Sequence, residues 1–166
     1  MDRIKSQGDL KECTSEIAPS LMRLSNLSLR VGCVPKDWKG ASIVPVFKKG
    51  NKEEVINYRP ISLLSLASKI AERCVFTHFY SFIAGNIYPL QHGFAKGRSI
   101  ITQLLDTVHR ITSAIDQGVQ TDVAFLDFSK AFDSVSHLHL ISKLDQIGIK
   151  GPLLQWFTSY LDNRVW

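Results

Sequence analysis

No run of about 18 apolar residues occurs in the 166-residue chain, so a membrane-spanning helix is not expected. The opening MDRIKSQGDLKEC has no apolar core of the kind a secretory leader needs. Secretion is therefore not expected, and an intracellular place, nuclear or cytoplasmic, is. Cysteine is scarce: Cys13, Cys33 and Cys74 are scattered and odd in number, with no Cys-x-x-Cys pair and no histidine at ligand spacing. That pattern gives a structural zinc site nothing to build on and predicts free thiols in a reducing compartment. Repeats, low-complexity tracts and an obvious linker are missing too. What is left is a chain of about one domain's length, enough to bury a core.

The apolar and charged fractions, 45% and 21%, are those of an ordinary globular protein. The formal net charge is +5, which is compatible with a polyanionic partner and no more than that. Its distribution says more. Eleven Lys and Arg face seven Asp and Glu over residues 1–60, but four face four over residues 127–166. The excess sits in the first third, around Lys36, Lys39, Lys48, Lys49, Lys52 and Arg59.

Local patterns predict a mixed α+β chain, rich in helix. Apolar residues recur at helical spacing over residues 10–29, with Pro19 marking a break or a new first turn. Residues 32–38 contain Pro35 and read as a loop. ASIVPVF, residues 41–47, reads as a strand that Pro45 makes an edge strand or a bulged one. A polar turn, KKGNKEE, follows, and a return strand is expected after it. A long helix is predicted over residues 65–85, with Leu66, Ile70, Val75, Phe79 and Phe82 on one side. Another is predicted over residues 99–116, with Leu104, Val108, Ile111 and Ile115 on one face and Gly118 as its stop. TDVAFLDF, residues 121–128, predicts a strand. Two short helices close the chain, one from Ser136 to Gly148 and one opening on Gly151-Pro152. Trp38, Trp156 and Trp166 are expected to pack in the core or at its edge.

The segment that carries chemistry is AFLDFSKAFDSV, residues 124–135. A carboxylate in an apolar strand is strongly penalised unless something compensates its charge. A divalent metal does so, and Mg²⁺ is usually held by one or two carboxylates together with substrate phosphates. Asp127 occupies such a position, although an isolated Asp there more often caps the following turn.

The surrounding words change that balance. AFLDFSKAFDSV resembles the first catalytic motif of reverse transcriptases from non-LTR, LINE-like retrotransposons. In the same order, VPKDWKGASIVPVFKKGN (34–51) resembles the family's first fingers strand, and NYRPISLLS (57–65) the block after it. SKIAER (68–73) is similar to the start of the next helix, and QHGFAKGRS (91–99) with the following TQLL to the template-facing block. The wording fits the LINE-like class better than group II intron enzymes. The resemblance implies a partial right-hand polymerase fold: a helical extension over residues 1–38, fingers over 39–118, and the start of the palm over 119–166. It implies RNA-directed DNA synthesis by the full-length protein, with an RNA template, a DNA primer, dNTP and Mg²⁺.

Residue by residue, the resemblance makes Asp127 the catalytic metal ligand, with the Phe128 carbonyl as a minor one. Phe132 becomes the ring beneath the incoming sugar, the steric gate against ribonucleotides. Asp133 is not part of the metal pair and is expected to start the next turn or helix. Phosphoryl transfer needs cations around the triphosphate. Arg59 suits that task, because guanidinium grips phosphate oxygens bidentately; the plainer alternative is a surface Arg in a loop. Lys48 or Lys49 is a second cation candidate, or part of a solvated turn. Gly93 would let backbone approach the template, and Phe94 would pack on a base or into the fingers. Lys96 and Arg98 suit template phosphates, while His92 reads as a turn histidine.

One absence acquires meaning here. Two-metal catalysis needs further carboxylates beside the metals, and the family supplies them from an aromatic-x-Asp-Asp turn. No Asp-Asp pair occurs in these 166 residues, and Asp145 and Asp162 lie in helical patterns. The chain alone is therefore expected not to polymerise DNA. A non-catalytic module that holds nucleic acid is the second reading, and an expressed remnant without function the third.

Overall fold

The computed structural model describes residues 12–128, 131, 132 and 134–162. The expected start of the first helix at Leu10, the role of Asp133 and the packing of Trp166 lie outside the described residues. The chain divides into two compact units, Met1–Tyr80 with Ser136–Trp166, and Ser81–Val135.

In the first unit, helix α1 spans Thr14–Val31 and passes through Pro19 as one element, where a break or a new first turn was expected. Pro19 sits in the second turn and forgoes only the bond to Ser15. The helix ends where the sequence demands. Gly32 is left-handed (φ 70), its N–H bonds to Leu29 O, and Cys33 N–H bonds to Ser28 O at 3.0 Å. This paired closure satisfies carbonyls that a helix end otherwise leaves open.

Beyond Pro35 the expected loop gives way to a helical turn, α2, Lys36–Lys39. That turn swings Trp38 inward, and Trp38 is buried beside Val34, Ala71 and Trp156. Leu29, Ala67, Val75, Phe157 and Tyr160 pack around these four. The indole of Trp156 stacks on Tyr160 at 5.4 Å, and its Nε1–H donates to Ser28 Oγ at 2.9 Å. Ser28 Oγ–H in turn donates to Cys33 O at 2.6 Å. A buried hydroxyl and a buried indole thus satisfy each other, as burial requires. Val34 N–H donates to Ser159 Oγ at 3.0 Å, a second tie to the last helix.

Strands β1, Ala41–Phe47, and β2, Tyr58–Leu64, form an antiparallel hairpin. Pro45 lies directly opposite Pro60. Lys48 N–H bonds to Asn57 O at 2.8 Å, and hydrogen-bonded and non-bonded pairs alternate along such a ladder. The two prolines therefore occupy a non-bonded pair, where neither would have donated to its partner. The sheet needs no bulge to accommodate them.

Helix α3 spans Leu66–Ile83, with Ser65 Oγ accepting from Ser68 N–H at its start. Its buried residues are Ser68 and Ala71, flanked by Ala67 and Val75, and Phe79 meets Phe157 at 4.9 Å. The expected stripe is therefore rotated: Ile70 and Phe82 are exposed. Small side chains face inward because the Trp38 indole and backbone approach there. Ser68 Oγ lies 3.3 Å from Trp38 O and donates to Glu72 at 2.8 Å. Two further helices belong to this unit among the described residues, α5 at His137–Gln146 and α6 at Gly151–Leu161. Both follow the sequence expectation, with Ser136 capping the first and Pro152 in the opening turn of the second.

In the second unit, helix α4 spans Ile100–Asp116 and begins with a reciprocal box between Ser99 and Thr102. Gly118 (φ 69) ends it, as expected. Its stripe at Leu104, Val108 and Ile115 is exposed. The expected strand at 121–128 is irregular. A strand is a pairing, not a property of one segment, and no described residue pairs with it. Alternation and β-branching raise the propensity for a strand but cannot supply its partner. Among the described residues the result is α+β only in a small way: helices plus one two-stranded sheet.

Candidate nucleotide and template site

The candidate residues fall into two groups. On the hairpin, Arg59 stands opposite Val46. Residues directly opposite one another share a face, and so do alternate residues along one strand. The ladder bond between Lys48 and Asn57 therefore puts Lys48 on the face of Arg59. The sequence alone could not choose between Lys48 and Lys49 as that cation's companion. Arg59, Lys48 and Lys49 are all exposed, so both side chains on the shared face are open to an anion.

Sequence reasoning missed the residue that builds the hairpin loop. Asn57 Nδ2 donates to Asn51 O at 2.8 Å and to Glu54 Oε2 at 3.2 Å. Gly50, left-handed at φ 95, lies so close that a Cβ there would meet Asn57 Nδ2 at 2.9 Å. Lys52 Nζ sits 5.8 Å above the Phe47 ring, and Tyr58 Oη–H donates to Lys52 O at 2.8 Å. The available signal was the Asn directly before Tyr-Arg-Pro, since asparagine side chains bond readily to nearby backbone.

In the second unit, Asp127 is exposed in the irregular segment, as are its neighbours Leu126 and Phe128. Phe132 is exposed too, and its ring meets that of Phe94 edge to face, with centroids 6.0 Å apart and planes at 84°. Such a pair contributes about 0.5–1.5 kcal/mol. Phe94 itself is left-handed at φ 58, alone among the described non-glycine residues. That conformation costs an L-residue about 1–2 kcal/mol, so the ring contact offsets the strain at best. A Cβ at Gly93 would meet nothing within 4 Å, which leaves the backbone there open to approach. Arg98 Nη1 donates to the carbonyls of Pro89 and Gln91, so part of its guanidinium is committed to the turn. His92 Nδ1 lies 2.9 Å from Thr102 Oγ1, in keeping with a turn histidine.

Asp127 fits a magnesium ion as one ligand, since Mg²⁺ takes few protein carboxylates and completes its shell with phosphates and water. A whole site is another matter. Among the described residues no cluster of three or more His, Cys, Asp or Glu is placed to hold a metal.

Residues 47–165 match the family model described as reverse transcriptase (RNA-dependent DNA polymerase). The chain is 37% identical over 147 residues to a probable RNA-directed DNA polymerase from transposon BS of Drosophila melanogaster, covering 87% of this chain and 16% of that protein. It is 36% identical over 142 residues to the corresponding protein of transposon X-element of the same species, covering 84% of this chain and 16% of that protein. A Pol polyprotein from the type-1 retrotransposable element R2 of Popillia japonica is 30% identical over 141 residues, covering 84% of this chain and 19% of that protein. The chain thus spans less than a fifth of the length of these curated relatives. It belongs to the reverse transcriptase family, in the LINE-like group encoded by non-LTR retrotransposons.

Proposed function

We propose that this chain forms the fingers and the start of the palm of an RNA-directed DNA polymerase, which extends a DNA primer on an RNA template inside the cell, in nucleus or cytoplasm. Residues 1–38 form the helical extension, 39–118 the fingers and 119–166 the first part of the palm. What carries the reading is the family match across residues 47–165, with Asp127 exposed inside it.

Arg59 and Lys48, on one face of the hairpin, hold the triphosphate of the incoming dNTP, and Lys49 adds charge from the turn. Guanidinium binds two phosphate oxygens at once, which fixes orientation as well as charge. Phe132 lies under the sugar. The turn of Gly93, Phe94, Lys96 and Arg98 faces the template, with Lys96 and Arg98 contacting its phosphates. Asp127, with the Phe128 carbonyl, would hold Mg²⁺ jointly with triphosphate oxygens. When bound, the ion would neutralise charge building on the transferring phosphate.

The isolated chain is inactive, because the further carboxylates that two-metal chemistry requires are not paired anywhere in its 166 residues. Primer extension on an RNA template with dNTP and Mg²⁺ tests both parts. The chain alone should give no product. In the element's longer polypeptide, Asp127→Asn should lower incorporation on the order of 100-fold or more. Extension by the chain alone, lost on Asp127→Ala, would overturn the inactivity. Full activity of Asp127→Asn in the longer polypeptide would overturn the role of Asp127.

The exposed Lys48 and Arg59 on one face also favour the second reading, a module that holds nucleic acid without chemistry. RNA binding by the isolated chain that weakens steeply with salt would mark such a phosphate-contacting surface, because neutralised phosphates release counterions.

A further inference from the structure

Phe94 is unusual twice over. Its backbone is left-handed (φ 58), a conformation rare for a bulky residue, and the residue is 87% exposed. Core packing therefore does not explain why the strain persists. Strained residues survive where their surroundings over-determine them, and this turn is heavily bonded. Arg98 Nη1 donates to Pro89 O and Gln91 O, Gln91 Nε2 donates to Gly93 O at 3.2 Å, and His92 Nδ1 meets Thr102 Oγ1. The reciprocal Ser99–Thr102 cap then anchors the turn to α4. What the arrangement delivers is one contact: the Phe94 ring against Phe132, edge to face at 6.0 Å.

We propose that Phe94 is a positioning residue for Phe132, holding that ring in place so that it excludes the 2′-hydroxyl of a ribonucleotide. The inference rests on reading Phe132 as the ring beneath the sugar. An apolar surface that can yield rejects an added hydroxyl only weakly, so a gate must be kept from moving aside. Phe132 lies in an exposed stretch, where burial does not restrain it. Phe94, fixed by its turn, supplies the restraint from the side.

The test is single-nucleotide incorporation, on an RNA template with a DNA primer, by a primer-extending polypeptide that contains this chain. The readout is the ratio of kcat/KM for a dNTP to that for the matching rNTP. Phe94→Gly removes the ring while accepting the positive φ; Phe94→Asn, which also tolerates that conformation, is the second variant should glycine loosen the turn. Either should lower the ratio about three- to tenfold, the worth of one aromatic pair, through better use of rNTP. Phe94→Tyr, which keeps the ring, should lower it less than Phe94→Gly does. Phe132→Val should lower it further, and adding Phe94→Gly to Phe132→Val should have no additional effect. If Phe94→Gly and Phe94→Asn leave the ratio intact while Phe132→Val collapses it, the positioning role is overturned and the gate stands. Equal losses for dNTP and rNTP would also overturn it, pointing to a general role of the turn. If Phe132→Val leaves the ratio unchanged, the reading of Phe132 itself has failed.

Discussion

Every buried side chain among the described residues belongs to the unit of Met1–Tyr80 and Ser136–Trp166; Ser81–Val135 contributes none. The first unit is held by long-range packing, with Trp156 bonded to Ser28 across 128 positions of sequence. The second is held by the Ser99–Thr102 box, by side chains that bond to backbone up to nine residues away, and by the Phe94–Phe132 ring pair. The second unit also carries Asp127, Phe94 and Phe132, all exposed. A group that must touch nucleotide or template cannot also be buried in the core, and Arg59 and Lys48, which the proposed function uses in the first unit, are likewise exposed on its hairpin.

Trp156→Ala should break this contrast most severely. It empties the centre of the first unit's core and strands Ser28, at about 3–5 kcal/mol. Phe125→Ala in the second unit, where the ring is 92% exposed, should stay within about 0.5 kcal/mol. Chemical denaturation of both variants checks the pair, and equal losses would remove the distinction between the units.

A smaller effect comes from two glycines of matching conformation, Gly32 (φ 70) and Gly118 (φ 69). Both end helices, and Ala at either should cost about 1–2 kcal/mol for the backbone alone. At Gly32 a Cβ would also lie 2.8 Å from Gln155 Cβ and 3.0 Å from Pro152 O, whereas at Gly118 nothing lies within 4 Å. Gly32→Ala should therefore lower the melting temperature more than Gly118→Ala, and the difference reads tertiary packing directly. The smallest expected effect is Ser99→Ala, about 1 kcal/mol for the lost cap. It should appear as faster amide exchange at the start of α4, with the core around Trp156 unaffected.

Elements whose ends are set by local chemistry were legible without the structure. Ser99 and Gly118 bracket α4, Ser136 opens α5, Pro152 sits in the first turn of α6, and the turn after Phe47 returns the chain into β2. The candidate residues come from words, DFSKAFD, NYRP and QHGF, each holding a residue type that the proposed chemistry would use. What failed were judgements that depend on a distant partner. Ile70 and Phe82 lie on the apolar stripe of α3, but the indole of Trp38 selects the side with Ser68 and Ala71 instead. TDVAFLDF has the alternation of a strand and finds no described partner. Pro19 looks like a break, yet α1 runs through it.

By itself the sequence determined the family, the order of helices and hairpin, and Asp127 as the candidate metal ligand, because these rest on residue types and local spacing. Tertiary structure decided which side of α3 is buried and that Lys48 shares a face with Arg59. It also decided that Phe94 and Phe132, 38 positions apart in sequence, meet ring to ring. Those are matters of which surfaces the chain brings together, and no local pattern encodes a neighbour that arrives from elsewhere in the fold.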